Sequence, residues 1–366
     1  MCYLHAEFNR NRPAMRSSPL TSSLRRALAA LLALAMALAM AMAMLGAGAA
    51  RAADKVRLGV FIGSVSPPAV LADETGAFAA EGIEIEFVPF GNAALAATAI
   101  VSGDIDVAAM ALSAAAYNLA GKGGLRVIAG SVREMPGYEY TAYVVTPAAW
   151  EAGIRSPRAL LERRIGITTV GSPLHFFVAA LAEKAGKDPR LLELVQMQSM
   201  SASSAGLQSG RIDGAMLVKA LALRAEREGF GRIVGWVGDE TPGQNGALLA
   251  APATIAGKRE LIERFLRAFR AGSRLYFDTF LRRDGAGQPV KGADHDRFLE
   301  VLAKRNGAAL GLMATSLGYN DPDARLDIDS VLRQIALGRR LGLIDQSFDP
   351  SDILERSLLN PERPQH

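Results

Sequence analysis

The sequence has a single cysteine among its 366 residues, Cys2, which lies next to the N-terminus. The rest of the chain therefore has no disulfide, no thiolate nucleophile and no cysteine-ligated metal. Histidine is almost as scarce, with only four in the chain, and two of them, His5 and His366, lie at the two ends. We expect neither a metal nor a cofactor in this protein, because no cluster of ligating side chains emerges.

Several enzyme signatures are also missing. The run Gly63-Ser64-Val65-Ser66-Pro67 has a proline where a G-x-S-x-G nucleophile elbow needs glycine. The glycine-rich run 121–124 precedes a predicted strand, whereas a phosphate-binding loop follows one. Acid-rich runs at 294–296 and 320–323 lack the spacing of a metal-binding loop. The sequence therefore favours a binding protein over an enzyme.

The positive charge of the chain is concentrated in its first 52 residues. They hold six arginines and one acid, Glu7, a net of +5 against +4 for the whole chain, so residues 53–366 carry −1. Binding to nucleic acid needs a basic surface on the folded domain. No nucleic acid partner is expected, because the excess of positive charge belongs to the N-terminal segment.

Residues 1–52 are typical of a secretory signal peptide. Two arginines precede 19 apolar residues, Ala27 to Leu45, and small residues follow as far as Ala52. We expect cleavage between Ala52 and Ala53, and hence an exported protein. An uncleaved membrane anchor is the alternative, because the apolar run approaches the length of a spanning helix, but it consists mostly of alanine and methionine.

A short pattern occurs twice in the remaining chain. Residues 102–108 and 209–215 both read S-G-x-I-D-x-A, and Ser66-Pro67 recurs as Ser172-Pro173 at almost the same offset. Two matches at nearly one offset indicate that one βα unit is used twice, which predicts two similar lobes.

Strands alternate with helices through both copies of this unit, which favours an α/β fold with right-handed crossovers in two lobes, each a mainly parallel sheet flanked by helices. The predicted strands lie at 56–62, 83–87, 106–110, 125–129, 164–168, 191–195, 214–218 and 232–237. Segments 140–145 and 247–251 are expected to be crossover strands between the lobes, followed by a helical C-terminal extension. We predict that residues 53–143 and 247–366 form lobe I and that residues 144–246 form lobe II.

The repeat also indicates where a ligand would bind, because ligands of open α/β sheets lie beyond the carboxyl ends of the strands. Ser66 and Ser172 each precede a helix whose first N–H groups can bind an anion, although each could equally be an ordinary N-cap. His175 and Lys219 follow at the same edge and could donate to a ligand, or could instead be packed or solvated. The further candidates for ligand contact are Ser64, Ser113, Ser131 and Gly171.

By the same rule, Asp106 and Asp213 of the repeated pattern stand at strand starts, on the far side from any ligand site. We interpret these two acids as structural.

Residues 58–130 resemble the first lobe of the NMT1/THI5-like solute-binding proteins, the nitrate, sulfonate and taurine (SsuA/TauA-like) group. The residues that carry the resemblance are 76–83, which match G-x-F-x-x-E-G, and 102–106, with a later echo at 341–345. The resemblance implies a two-lobed, type II periplasmic binding fold and a periplasmic location. It also implies an ABC permease and its ATPase subunit as partners of a monomeric protein.

We therefore expect a protein that captures a small polar or anionic solute between two lobes and delivers it to the permease by hinge closure. Sulfonates, nitrate-like anions, carboxylates and heteroaromatic compounds all remain open as solutes. The alternatives are an exported enzyme of the lyase or dehydratase type and a ligand-sensing partner of a membrane receptor. Fungal THI5 enzymes share the fold but depend on a cysteine-rich motif that this sequence lacks.

Overall fold

The structure, a computed structural model, describes residues 24, 26–36, 53–61, 66–90 and 93–359. It divides into two compact units, 1–52 and 53–366. In the first unit residues 26–36 are helical, and the predicted cleavage position at Ala52 lies outside the described residues. None of the described helices combines the length and the apolar character needed to cross a membrane.

The second unit is built from strands and helices in alternation. Its strands are β1 Asp54–Phe61, β2 Ile83–Phe90, β3 Val107–Ala111, β4 Arg126–Gly130, β5 Val132–Glu134, β6 Thr141–Val145, β7 Ile165–Ile167, β8 Leu194–Gln196, β9 Gly214–Val218, β10 Arg232–Trp236, β11 Gly243–Gln244, β12 Gly246–Ala250 and β13 Tyr319–Asn320. Its α-helices are α1 Pro67–Glu74, α2 Ala77–Ala80, α3 Ala93–Ser102, α4 Ala114–Gly121, α5 Pro147–Glu151, α6 Pro157–Leu160, α7 Pro173–Lys184, α8 Met200–Gln208, α9 Lys219–Arg227, α10 Val237–Glu240, α11 Pro252–Gly257, α12 Arg259–Tyr276, α13 His295–Asn306, α14 Leu310–Ala314 and α15 Ile328–Arg340.

Two five-stranded sheets share one topology. The first has the order β2-β1-β3-β12-β4 and the second, in the matching direction, β8-β7-β9-β6-β10. In each sheet the fourth strand, β12 or β6, is antiparallel to both of its neighbours, and the pairs β1–β2, β1–β3, β7–β8 and β7–β9 are parallel. The mainly parallel sheets expected from the sequence are therefore confirmed. We call the elements around the first sheet the first half and those around the second sheet the second half.

The chain passes between the halves at a third, three-stranded sheet, β11-β5-β13, which the sequence patterns do not indicate. The segments expected to be crossover strands belong instead to the large sheets, as β6 and β12. The lobe boundaries predicted at 143/144 and 246/247 thus fall inside strands. We propose that the chain crosses at β5 on its way out and at β11 on its way back.

The repeated sequence forms the same contacts in both sheets. The Arg57 backbone N–H and guanidinium donate to Asp106, and the same guanidinium donates to the carbonyl of the glycine three residues before that aspartate. Arg164 makes the same three bonds to Asp213 and to Gly210, and its guanidinium donates one further bond to Asp213 Oδ1. Both aspartates hold the start of a central strand, as their interpretation as structural residues requires.

A glycine in each first strand completes the duplicated packing. A Cβ atom on Gly59 would lie 2.5 Å from Ile105 Cδ1, and one on Gly166 would lie 2.5 Å from Ile212 Cδ1. These isoleucines belong to the repeated pattern, and the glycines allow them to pack directly against the backbone. The duplication therefore extends to the core as well as to the hydrogen bonds.

Helices cover both faces of the first sheet. One face packs against α1, α2 and α12, and the other packs against α3, α4 and α15. In the second half, α7 covers one face of the sheet and α8 and α9 cover the other. One side chain of α7, Phe176, is packed into the core of the first half, so the two halves share apolar packing.

Candidate ligand-binding cleft

The predicted ligand contacts follow the carboxyl ends of strands in both halves. Ser113 lies between β3 and α4, and Gly171 with Ser172 lies between β7 and α7. Ser131 follows β4, and Lys219 follows β9 directly as the first residue of α9. Ser66 precedes α1, whereas Ser64 lies outside the described residues.

Two of these segments touch each other across the halves. The Ala114 N–H, at the first position of α4, donates to the Gly171 carbonyl oxygen at 2.8 Å. Ser113 caps the same helix, because its Oγ accepts from the Ala116 N–H at 3.3 Å. The start of α4 in the first half therefore abuts the turn before α7 in the second half.

Ser172 and His175 organise that turn. Ser172 Oγ accepts from the His175 N–H at 3.4 Å, and His175 Nδ1 accepts from the Gly171 N–H at 2.9 Å. Because Nδ1 is an acceptor, the ring proton of the neutral imidazole is on Nε2, which can donate to a ligand. Burial lowers the pKa of His175, so the ring is neutral at neutral pH.

Ser66 differs from the other helix-capping serines. It precedes α1, but its hydroxyl makes no capping bond to the helix. Its Oγ is buried and has no hydrogen-bond partner among the described residues. A buried hydroxyl without a partner is energetically unfavourable, so this group is available to a bound solute.

Lys219 and Ser131 are already occupied by other contacts. Lys219 Nζ donates to Glu139 Oε2 at 2.7 Å and lies 5.8 Å from the centre of the Trp236 ring. The Ser131 N–H donates to the Gly246 carbonyl at 3.1 Å, a backbone bond between the ends of neighbouring strands. The Lys219 ammonium group is therefore less free for a ligand than Ser66 Oγ.

Glu134 in β5 is a buried carboxyl group that no sequence pattern indicates. Its Oε1 accepts from Thr141 Oγ1 at 2.5 Å and from Asn245 Nδ2 at 3.4 Å. Its Oε2 is buried and has no partner among the residues that the structure describes, and burial raises the pKa of Glu134 to about 7. Thr141 lies where the chain enters the second half and Asn245 where it returns, so this acid links both crossings. The only feature of the sequence that could have indicated this buried acid is its position just before the segment 140–145, which was expected to cross between the lobes.

Two cavities lie beside these elements. One, of about 440 Å³, opens between the alanine-rich helices α3 and α4, with Ser113 and Met110 in its lining. The other, of about 340 Å³, lies between α7 and α15. No group of three or more histidine, cysteine, aspartate or glutamate side chains suited to a metal ion occurs in the part of the chain that the structure describes.

The fold and these contacts can be compared with known proteins. The family model described as NMT1/THI5 like matches residues 65–278, more than half of the chain. The chain belongs to the NMT1/THI5-like family. No curated protein matches the sequence significantly.

Solved structures similar to this NMT1/THI5-like protein have the periplasmic binding protein fold. The periplasmic aliphatic sulphonate binding protein SsuA from Escherichia coli aligns with a TM-score of 0.63 at 17% identity, over 84% of this chain and 97% of that one. The periplasmic nitrate-binding protein NrtA from Synechocystis PCC 6803 gives 0.61 at 13%, over 83% and 86%. The desulfurization enzyme DSZB gives 0.52 at 16%, over 84% and 97%. The α/β fold of the periplasmic binding proteins, expected from the sequence, is confirmed.

Proposed function

We propose that this NMT1/THI5-like protein is the solute-binding component of an ABC importer. It captures a small polar or anionic solute between its halves and delivers the solute to the permease. The observation that carries this proposal is the contact between Ala114 and Gly171, because it joins the strand ends of both halves at one point. A solute bound beside that contact would touch both halves and would favour their closure.

The proposed recognition uses backbone and neutral donors. Ser66 Oγ, the His175 Nε2–H and the starts of α1 and α7 would supply hydrogen bonds to an oxygen-rich solute. A micromolar dissociation constant corresponds to about 8 kcal/mol, which a few such bonds and the apolar walls can provide. Sulfonates and nitrate are the first candidates, because the similar proteins SsuA and NrtA are named for those solutes.

The proposed setting is the periplasm of a bacterial cell. The N-terminal segment has the composition of a cleavable signal peptide, and the similar SsuA and NrtA proteins are described as periplasmic. An ABC permease and its ATPase subunit are the partners that such a protein serves. We propose that the protein acts as a monomer.

An exported enzyme on the same fold is the second candidate. The observation in its favour is the structural similarity to DSZB, which is a desulfurization enzyme. The two functions are separated by testing whether the protein converts the solute that it binds. Proton NMR monitors the solute for hours at a stoichiometric protein concentration. Any solute consumed at a rate that scales with protein concentration favours the enzyme, whereas an unchanged solute favours transport.

Thermal-shift screening followed by titration calorimetry tests the transport proposal. The panel contains alkanesulfonates, taurine, nitrate, small carboxylates and pyrimidines. Removal of the donors by Ser66→Ala and by His175→Ala is expected to weaken binding of the active solute about tenfold each, as for a lost charge-assisted hydrogen bond. Ser156→Ala is the control, because Ser156 caps α6 before β7, at the opposite end of the sheet.

The proposal fails if no member of the panel raises the unfolding temperature. It also fails in its choice of contacts if both donor variants bind the solute as tightly as Ser156→Ala does.

A further inference from the structure

The cavity between α7 and α15 lies beside these helices, and its lining does not include Ser66, Ser172 or His175 of the proposed solute site. Its volume of about 340 Å³ is within the range of small-molecule sites, about 300–1,000 Å³. It is lined on one side by α7 and by the residues that follow α10, and on the other side by α15.

The two walls of this cavity belong to different halves. Helix α7 packs on the second sheet through Val178, Leu181 and Ala182. Helix α15 packs on the first sheet through Val331 and Ile335, which share a core cluster with β3, β4 and β12. A molecule in the cavity therefore contacts both halves, so its binding free energy depends on how the halves are arranged.

The charges at the rim are unequal. Arg340 is paired with Glu183, with a shortest N–O distance of 2.8 Å, and Lys184 Nζ donates to the Glu240 carbonyl at 2.7 Å. Arg333 is exposed and makes no ion pair or hydrogen bond with any residue that the structure describes. One guanidinium is thus left over at the mouth, and guanidinium groups bind carboxylates through two parallel hydrogen bonds.

Apolar and aromatic side chains form part of the cavity wall, and polar or charged side chains form the rest. Phe176 and Phe177 of α7 line it together with Ala180, and Leu337 lines it from α15. Phe176 and Phe177 are almost fully buried, so a flat apolar body can contact only the small part of each ring that borders the cavity. The small side chains of Ala180 and Ala336 leave the space open.

We propose that this cavity is a second ligand site, which takes a small carboxylate with an aromatic or aliphatic body. The carboxylate pairs with Arg333, and the body lies between α7 and α15. Because the ligand touches both halves, it stabilises their contact. By linkage, the carboxylate ligand increases the affinity of the cleft for its solute, and the bound solute increases the affinity of the second site for the carboxylate by the same factor. This last step rests on the proposed solute-binding function, whereas the site itself does not.

Fluorine NMR with 4-fluorobenzoate tests the site in the full chain. We expect millimolar or tighter binding, and about tenfold weaker binding of the uncharged 4-fluorobenzamide. Arg333→Gln is expected to weaken 4-fluorobenzoate about tenfold, and Ala336→Trp, which fills the cavity from an exposed position, is expected to abolish binding. Lys304→Gln is the matched control, since it removes one exposed positive charge from α13 and should leave binding unchanged.

Amide hydrogen exchange with and without 4-fluorobenzoate tests the effect on the two halves. Slower exchange in both α7 and α15 is expected for the wild-type chain, and no slowing for Ala336→Trp. The site is overturned if 4-fluorobenzoate does not bind when it is present at millimolar concentration and in about tenfold excess over the protein. It is also overturned if the Arg333→Gln and Lys304→Gln variants bind 4-fluorobenzoate equally well. Slowing confined to one helix overturns the stabilisation of the contact. None of these measurements needs a cleft solute, so they stand apart from failure of the transport proposal.

Discussion

At the scale of single residues, Glu134 is the most unusual group in the described chain. It is fully buried at the crossing between the halves, and one of its carboxylate oxygens has no partner. The groups that face it are the Thr141 and Asn245 hydrogen-bond donors and the side chains of Tyr140 and Tyr143. No cation lies among them, which is why burial raises the pKa of Glu134 from 4.5 to about 7.

This shift predicts a pH-dependent stability that one substitution removes. Between about pH 4.5 and pH 7 the folded chain retains a proton that the unfolded chain releases, so stability falls as pH rises through this window. The loss approaches about 3 kcal/mol above pH 7. In Glu134→Gln the amide accepts from Thr141 without ionising, so urea unfolding should show a variant that matches the wild type at pH 4 and exceeds it at pH 8. Parallel pH profiles of the two proteins would contradict the prediction.

The sequence was informative about residues where a repeated pattern fixed their surroundings. Asp106 and Asp213 were interpreted as structural because both precede a strand, and both do bind an arginine at that position. The helix-capping serines were visible because a serine before proline has a local meaning. Glu134 was not visible, because its burial depends on residues more than a hundred positions away, such as Asn245.

At the scale of elements, the turn before α7 carries the contact between halves. Gly171 has a φ of +77°, which is strained for other residues, and a Cβ atom there would lie 2.8 Å from Ala114 Cβ. Gly186, just after α7, has nearly the same φ of +71° but has open space around it. A substitution at Gly186 therefore introduces backbone strain alone, whereas a substitution at Gly171 introduces backbone strain together with a clash between the halves.

We expect Gly186→Ala to reduce the free energy of unfolding by about 1–2 kcal/mol, and Gly171→Ala to reduce it further, because the clash with Ala114 adds to the same backbone strain. Only Gly171→Ala should also weaken solute binding, roughly tenfold, because its methyl group pushes α4 away from the turn. Urea unfolding and titration calorimetry on both variants measure the two effects. Equal solute affinities in the two variants would remove this contact from the binding mechanism.

Most elements followed from local sequence, with exceptions that have local causes. The helix expected after Ser66 is divided into α1 and α2, because Gly76 adopts a left-handed conformation with a φ of +74°. The strand predicted at 191–195 is shorter and later, since Pro189 begins a 3₁₀ turn that includes Leu191. Helices α5 and α6 were missed, although each begins with a threonine or serine before proline, the same signal that marks α7.

At the scale of the whole molecule, the two halves are joined by packing as well as by chain crossings. Phe176 projects from α7 of the second half into the core of the first half, where its ring lies 6.3 Å from that of Tyr117. Its neighbour Phe177 packs into the core of its own half. Adjacent residues on one helix therefore have different structural roles.

Phe176→Ala and Phe177→Ala are each expected to lower stability by about 3–5 kcal/mol, the usual cost of such a truncation in a core. Phe176→Ala should in addition uncouple the halves, so that calorimetry shows two overlapping transitions in place of one. Phe177→Ala should keep a single cooperative transition. A single transition in both variants would mean that the chain crossings alone couple the halves.

The overall topology was only partly accessible from the sequence. Alternation of strands and helices gave two parallel sheets, and the repeat gave their equivalence. The placement of β6 and β12 inside the sheets was not accessible, because an apolar strand pattern does not reveal which neighbours the strand pairs with. The pairing partners of β12 lie more than a hundred residues earlier in the chain.

The late arrival of β12 has a consequence for biosynthesis. While the ribosome is still making the second half, β3 and β4 are complete but the place between them in the first sheet is vacant. Both strands then present unpaired backbone groups, which are templates for wrong association. A nascent chain shorter than about 250 residues thus cannot close its first sheet, because β12 ends at Ala250.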